Sequence, residues 1–197
     1  AAGNDNEDLE QHTYFPTNYK AVTDASPLVE NVIVVGASTN NNEMLRADFS
    51  NFNKKLVDVF APGTEIYSTI PSSTYKFEQG TSMASPVVAG AAAVLLAYMP
   101  SLTPQQIKES LVKTVNKSSV NSFSNLSNSG GVIDLKKAAV YAYDNFYSKN
   151  KTNSNIIKNF SFDQTEILHN IGVIYNNGSD QFDADMTASS LGFYGKG

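Results

Sequence analysis

The longest apolar run of the chain is Val-Val-Ala-Gly-Ala-Ala-Ala-Val-Leu-Leu-Ala-Tyr-Met at 87–99, with no charge at any position. A helix built from it is apolar on every side, the pattern of a helix buried all round. The run is shorter than the ~20 residues of a membrane span and suits a core helix. Upstream, Val32-Ile33-Val34-Val35 is a continuous β-branched run closed by Gly36, the pattern of a strand buried on both faces in a parallel sheet. Residues 56–60, Leu-Val-Asp-Val-Phe, closed by Ala61-Pro62-Gly63, predict a second short strand, with a polar turn at 39–43 between the two. Residues 65–70 alternate polar and apolar side chains as a half-exposed strand does. Pro71-Ser72-Ser73 turns that strand, and 75–78 brings the chain back toward Gly80.

Beyond the apolar run, Thr103-Pro104-Gln105-Gln106 carries a cap, a proline at the first helical position and a glutamine at the third, which together make a capping box. Ile107, Leu111, Val112 and Val115 follow at helical spacing with Lys108, Glu109 and Lys113 outside, predicting a surface helix laid on the core. Residues 116–129 are rich in Ser and Asn and read as a loop. After Gly130-Gly131-Val132-Ile133-Asp134, the residues Leu135, Ala138, Ala139, Ala142 and Tyr143 mark one face of an amphipathic helix. From Ser148 the composition turns to Lys, Asn, Thr and Ser, a linker by content. Short apolar pieces such as 171–175 follow, set among Asn-Gly and acidic turns.

Composition narrows the functional classes. Hydrophobic residues make up 41% of the chain, ordinary for a globular protein with a real core. A formal net charge of -5 argues against a nucleic-acid surface, which is basic. With no cysteine, disulfides and thiol catalysis are excluded, while the compartment stays open.

The chemistry centres on Gly80-Thr81-Ser82-Met83-Ala84-Ser85-Pro86, a small-residue turn running into the apolar helix. Gly80 permits a tight turn or a close approach of another chain segment. Thr81 and Ser82 suit a helix start, because their hydroxyls bond free N–H groups of the first turn. If the helix begins near Thr81, Pro86 lacks the N–H due to bond the carbonyl of Ser82, at a cost of ~3 kcal/mol in an ordinary helix interior. The helix N-terminus also places about half a positive charge there, favourable to a developing anion. On these residues alone Ser82 is either a cap or a nucleophile.

Gly80 to Pro86 matches, at every position, the nucleophile motif Gly-Thr-Ser-Met-Ala-(Ser/Ala/Thr)-Pro of the subtilisin-like serine proteases, the subtilases. A second family block, Ala-Ala-Gly-Asn, is present as Ala1-Ala2-Gly3-Asn4. Between them, in family order, lie Asn31-Val32-Ile33-Val34-Val35-Gly36-Ala37-Ser38, Ala47-Asp48-Phe49-Ser50-Asn51-Phe52 and Val57-Asp58-Val59-Phe60-Ala61-Pro62-Gly63. The resemblance implies an α/β, subtilisin-like three-layer fold with a parallel sheet between helices, incomplete in this chain. It covers 1–147 as the C-terminal part of a catalytic domain, leaving 148–197 as a linker and extension of unknown fold. It also implies a serine endopeptidase in which Ser82 is the nucleophile and Asn4 donates its side-chain amide to the oxyanion beside the backbone N–H of Ser82. Ala1, Ala2 and Gly3 would form one wall of the substrate pocket and Tyr14 its floor, with Gly80 and Thr81 also binding substrate. Phe15-Pro16 is a candidate cis peptide by the same likeness.

In the family the catalytic Asp and His precede the Ala-Ala-Gly-Asn block, so the resemblance places both outside this chain. His12 and His169 are the only histidines, and neither stands in a context like the family's His-Gly-Thr. The expected partners are therefore a protein or peptide substrate and the N-terminal half of the catalytic domain. The chain alone is expected to be inactive, and the whole protein secreted or held in a bacterial envelope. The rival is a subtilase-like scaffold that binds a peptide without hydrolysing it. No cofactor is required; calcium as a structural ion near Asp58 would suit the family, against local capping or pairing by that one carboxylate. Asp5, Glu7, Asp8 and Glu10 form an acidic insertion that reads either as a selector of basic side chains or as a solvated or ion-binding loop.

Overall fold

The computed structural model describes residues 1–11, 14, 31–40, 45–117 and 123–148. His12, His169, Phe15-Pro16, most of the 39–43 turn and the extension from 149 lie outside the described residues. Strands β1 (Val35–Ser38) and β2 (Val59–Pro62) pair in parallel, Val35 opposite Val59 and Ser38 opposite Pro62. Both begin about three residues later than the β-branched runs suggest, and Asp58 is the reason. Its carboxylate accepts the Val34 N–H at 2.8 Å, and its own N–H goes to the Val34 carbonyl at 2.9 Å. The backbone ahead of Val35 is thus committed to a side-chain clasp before the ladder starts.

Side chains alternate across this pair, as the pleat requires. Val35, Ala37, Val59 and Ala61 join one buried cluster with residues of the three α-helices, whereas Phe60 and its neighbour Val34 join a second cluster with Ala2, Leu9, Val57 and Phe123. Parallel strands covered on both faces are the usual α/β arrangement. Phe60 is fully buried, its ring 4.8 Å from that of Phe123.

Helix α1 (Thr81–Tyr98) starts six residues before the apolar run and contains Pro86 within it. It packs on both strands through Ala84, Val88, Ala91 and Leu95. The expectation of burial on every side is corrected: among the described residues Ala89, Ala93, Leu96, Ala97 and Tyr98 are exposed, Leu96 by 45%. By length and composition it is the one described helix able to cross a membrane, with 28% of its span buried. Its buried stripe on the sheet is that of a core helix with one side uncovered.

Helix α2 (Pro104–Lys113) opens with the expected capping box. The Thr103 hydroxyl accepts from Gln106 N at 3.2 Å, and the Gln106 side chain accepts from Thr103 N at 2.9 Å. Helix α3 (Leu135–Ala142) is capped by Asp134, which accepts from Lys137 N, and runs into a π-turn at Tyr143–Tyr147. Strands β3 (Ile66–Ile70) and β4 (Thr74–Glu78) form an antiparallel hairpin whose return strand ends two residues before Gly80.

Candidate active site

Four short pieces, distant in sequence, converge on the start of α1. Gly63 follows β2; its N–H bonds the Ser38 carbonyl at 2.9 Å, and its carbonyl accepts Gly80 N at 2.8 Å. The end of the parallel pair thereby fixes where the turn after β4 must sit. Gly80 has φ 152° and ψ 160°, a backbone setting that favours glycine. Its carbonyl accepts from Met83 N at 3.0 Å and Ala84 N at 3.2 Å, which closes the first helical turn.

Asn4 reaches this turn from the other end of the chain. Its Oδ1 accepts from Thr81 N at 2.9 Å and from the Thr81 hydroxyl at 3.0 Å. The same hydroxyl oxygen accepts from Gly3 N at 3.1 Å. Thr81 is fully buried, so its hydroxyl locks the asparagine loop to the helix start. The carboxamide can therefore hold only one orientation, with Oδ1 toward Thr81 and Nδ2 turned away.

Two donors are left unspent. Neither Asn4 Nδ2 nor Ser82 N has an acceptor among the described residues. Both border the same small space: a Cβ built on Gly80 would lie 3.4 Å from Asn4 Nδ2 and 3.6 Å from Ser82 N. Ser82 itself is exposed, its hydroxyl without a partner among the described residues. No acidic residue stands in the first turn, so nothing there offsets the positive end of the helix dipole. The space can take an oxygen that carries negative charge.

Of the other candidate residues, Ala2 is buried and its N–H bonds the Val35 carbonyl at 2.9 Å, which lays 1–3 beside β1. Gly3 has φ 106°, and a Cβ there would run into the Asn51 amide. Ala1 is exposed. Tyr14 donates its hydroxyl to Glu7 at 2.8 Å; that carboxylate, then partial desolvation, pushes the phenol up to about 12. The structure thus ties Tyr14 to the acidic loop. Asp58 is occupied on both oxygens, by Val34 N and by Lys108 Nζ at 3.0 Å. Among the described residues no group of three metal-ligating side chains is brought together.

Asn51 is the residue that sequence reasoning passed over. Fully buried, it accepts on Oδ1 from Asp5 N at 2.9 Å and Glu7 N at 3.0 Å, and donates Nδ2 to the Ala2 carbonyl at 3.2 Å and its own N–H to the Gly3 carbonyl at 3.0 Å. Its place in the family block 47–52, and the polar Ser-Asn-Phe-Asn segment between two buried strands, are the hints the sequence holds.

Fold and site together define an α/β protein with a serine and two free donors grouped at the mouth of a helix. The model of the subtilase family, Peptidase_S8, matches residues 1–161, and the chain belongs to that family of serine proteases. Subtilisin DY of Bacillus licheniformis is 43% identical over 115 residues, covering 58% of this chain and 37% of that protein. Subtilisin E of Bacillus subtilis is 48% identical over 82 residues, covering 42% and 21%. Among solved structures, a protease of Pseudoalteromonas arctica aligns with TM-score 0.54 and 31% identity, over 72% of this chain and 41% of its own. A structure of the subtilase cytotoxin SubAB assembly aligns with TM-score 0.61 at 22% identity, over 77% and 51%, a likeness of fold alone. The chain spans about half or less of each of these relatives.

Proposed function

We propose that the chain carries the nucleophile and oxyanion site of a subtilisin-like serine endopeptidase. The carrying observation is the pair of unspent donors, Asn4 Nδ2 and Ser82 N, around the space that Gly80 leaves empty. Ser82 Oγ adds to the scissile carbonyl carbon while its proton passes to a histidine, oriented by an aspartate, both supplied by sequence outside these 197 residues. The carbonyl oxygen becomes an alkoxide and takes hydrogen bonds from Asn4 Nδ2 and Ser82 N. Collapse expels the amine, which leaves with the histidine's proton, and water then releases the acyl group by the same route in reverse. Donors already in place cost no reorganisation as the charge develops.

The substrate is a polypeptide bound extended beside residues 1–3, and the enzyme works outside the cytoplasm, secreted or in the cell envelope. The remainder of the catalytic domain covers the uncovered apolar side of α1, where Ala89, Ala93, Leu96 and Tyr98 stand exposed. The 197-residue chain alone, lacking its base, has the reactivity of an alcohol. The test is a fluorophosphonate probe on the complete protein, read by intact and peptide mass. One adduct on Ser82, absent from Ser82→Ala, is expected. A folded parent that takes none, yet binds peptide, is a scaffold and not a peptidase.

A further inference from the structure

Asn4 would be of little use as a donor if its loop could shift by an ångström, since a misplacement of that size can cost about 10²-fold in rate. Its side chain is anchored to Thr81, but the backbone that carries it is anchored elsewhere. That backbone has two unusual settings: Gly3 at φ 106° and Asn6 at φ 57°. Such conformations persist only when the surroundings over-determine them.

Asn51 supplies that determination on both flanks of Asn4. Before Asn4, it holds the carbonyls of Ala2 and Gly3; after it, the N–H groups of Asp5 and Glu7. Only a carboxamide of this length offers both an acceptor for two amides and a donor for a carbonyl from one buried position. Asn51 is in turn held from behind. The Ser50 hydroxyl donates to the Asn51 carbonyl at 3.0 Å and accepts from Ala37 N at 2.9 Å, which refers the clamp to β1. Arg46, whose guanidinium lies 4.9 Å from the Phe52 ring centroid, bonds the Ser50 carbonyl at 2.5 Å.

We propose that Asn51 is the positioning residue of the oxyanion site: by gripping the backbone on either side of Asn4, it sets the turnover rate of the peptidase without touching substrate. This rests on the reading of Asn4 as an oxyanion donor. Because Asn51 acts through Asn4, losing it costs turnover no more than losing Asn4 itself. For subtilisin's own oxyanion asparagine that loss is known, about 10²- to 10³-fold in kcat.

A double-mutant cycle in the complete enzyme tests this, with kcat and KM measured on a peptide substrate and the folded fraction checked by melting curve. Asn51→Ala is expected to lower kcat at least about tenfold, within the ceiling set by that known donor loss, with KM nearly unchanged. In the Asn4→Ala background the same substitution is expected to have no further effect on kcat, the signature of two residues acting as one unit. Asn51→Asp, which keeps the acceptors for Asp5 and Glu7 but removes the donor to Ala2, gives the same pattern if the alanine variant does not fold. Asn53→Ala, which frees Asp8 further along the loop from its 2.6 Å hydrogen bond, is expected to lower the melting point and leave kcat as it was. Equal losses from Asn51→Ala in both backgrounds, or an unchanged kcat, overturn the positioning role alone. An unchanged kcat in Asn4→Ala overturns the donor reading and the clamp with it.

Discussion

Gly80 shows how little room the site leaves at the scale of one residue. A methyl there would stand at ordinary contact distance, 3.4 Å from Asn4 Nδ2 and 3.6 Å from Ser82 N, where it would compete with an oxygen for the two donors, and at a φ that side chains rarely adopt. Gly80→Ala is therefore expected to cut kcat by about 10²-fold, the scale known for losing one such donor in subtilisin, while a fluorophosphonate still finds a folded Ser82 slowly. Steady-state kinetics on the complete enzyme check it. Thr81 carries a different burden. Thr81→Val keeps the volume but removes the hydroxyl that joins Gly3 N to Asn4 Oδ1, so turnover falls and the melting point falls with it. The nucleophile motif was legible in the sequence because its residues are contiguous. The clamp was not, because Asn51 meets partners 44 to 49 positions away.

Between elements, charge joins what apolar packing alone would let slide. Lys108 of α2 spans the gap to the sheet edge, reaching Asp58 at 3.0 Å and the Val32 carbonyl at 2.5 Å, with both charged side chains largely buried. Lys108→Ala leaves a buried carboxylate without its counter-charge and is expected to destabilise the fold by about 3 kcal/mol, measured by urea unfolding. On the solvent side, Glu109 accepts from Lys113 at 2.6 Å and from the Tyr141 hydroxyl at 2.8 Å, tying α2 to α3. These bonds, Lys113 first, hold the Glu109 carboxyl below its ordinary 4.5. A depressed carboxylate stabilises the fold above the unfolded-state value, and that contribution fades as pH falls through the folded-state one. Tyr141→Phe is accordingly expected to lower the melting point slightly at pH 7, the difference closing below pH 4.5. The helix start at Thr103 could be read from its local cap, whereas the strand starts could not. Asp58 displaces them through a side chain bonded 24 positions away.

For the molecule as a whole, the apolar content of α1 is the most informative mismatch with its surroundings. A stretch without a single charge predicts burial on all sides, yet Leu96 and Tyr98 stand 45% and 38% exposed, and Tyr75 and Phe77 of β4 by about half. Exposed apolar surface of this kind associates or binds partners. The isolated chain is therefore expected to bind a hydrophobic dye and to scatter light as concentration rises, with Leu96→Lys reducing both. An isolated chain that stays monomeric and dye-silent would remove this expectation. The parallel strands and the helices were legible because β-branched runs and helical spacing are local signals, while their layering was implied by the family resemblance. Which side of α1 stays uncovered was not, because the run itself is apolar on every face.

The lock between Gly3 and Thr81 joins positions 78 apart, and that distance has a consequence in time. Ribosomal synthesis releases Asn4 long before Ser82, so on the proposed reading a growing polypeptide has no oxyanion site until the Thr81 turn has emerged. Closing so long a loop costs more chain entropy than forming the local helices or the hairpin. On the proposed reading of Asn4 and Ser82, the last contact to form is also the one that completes the site.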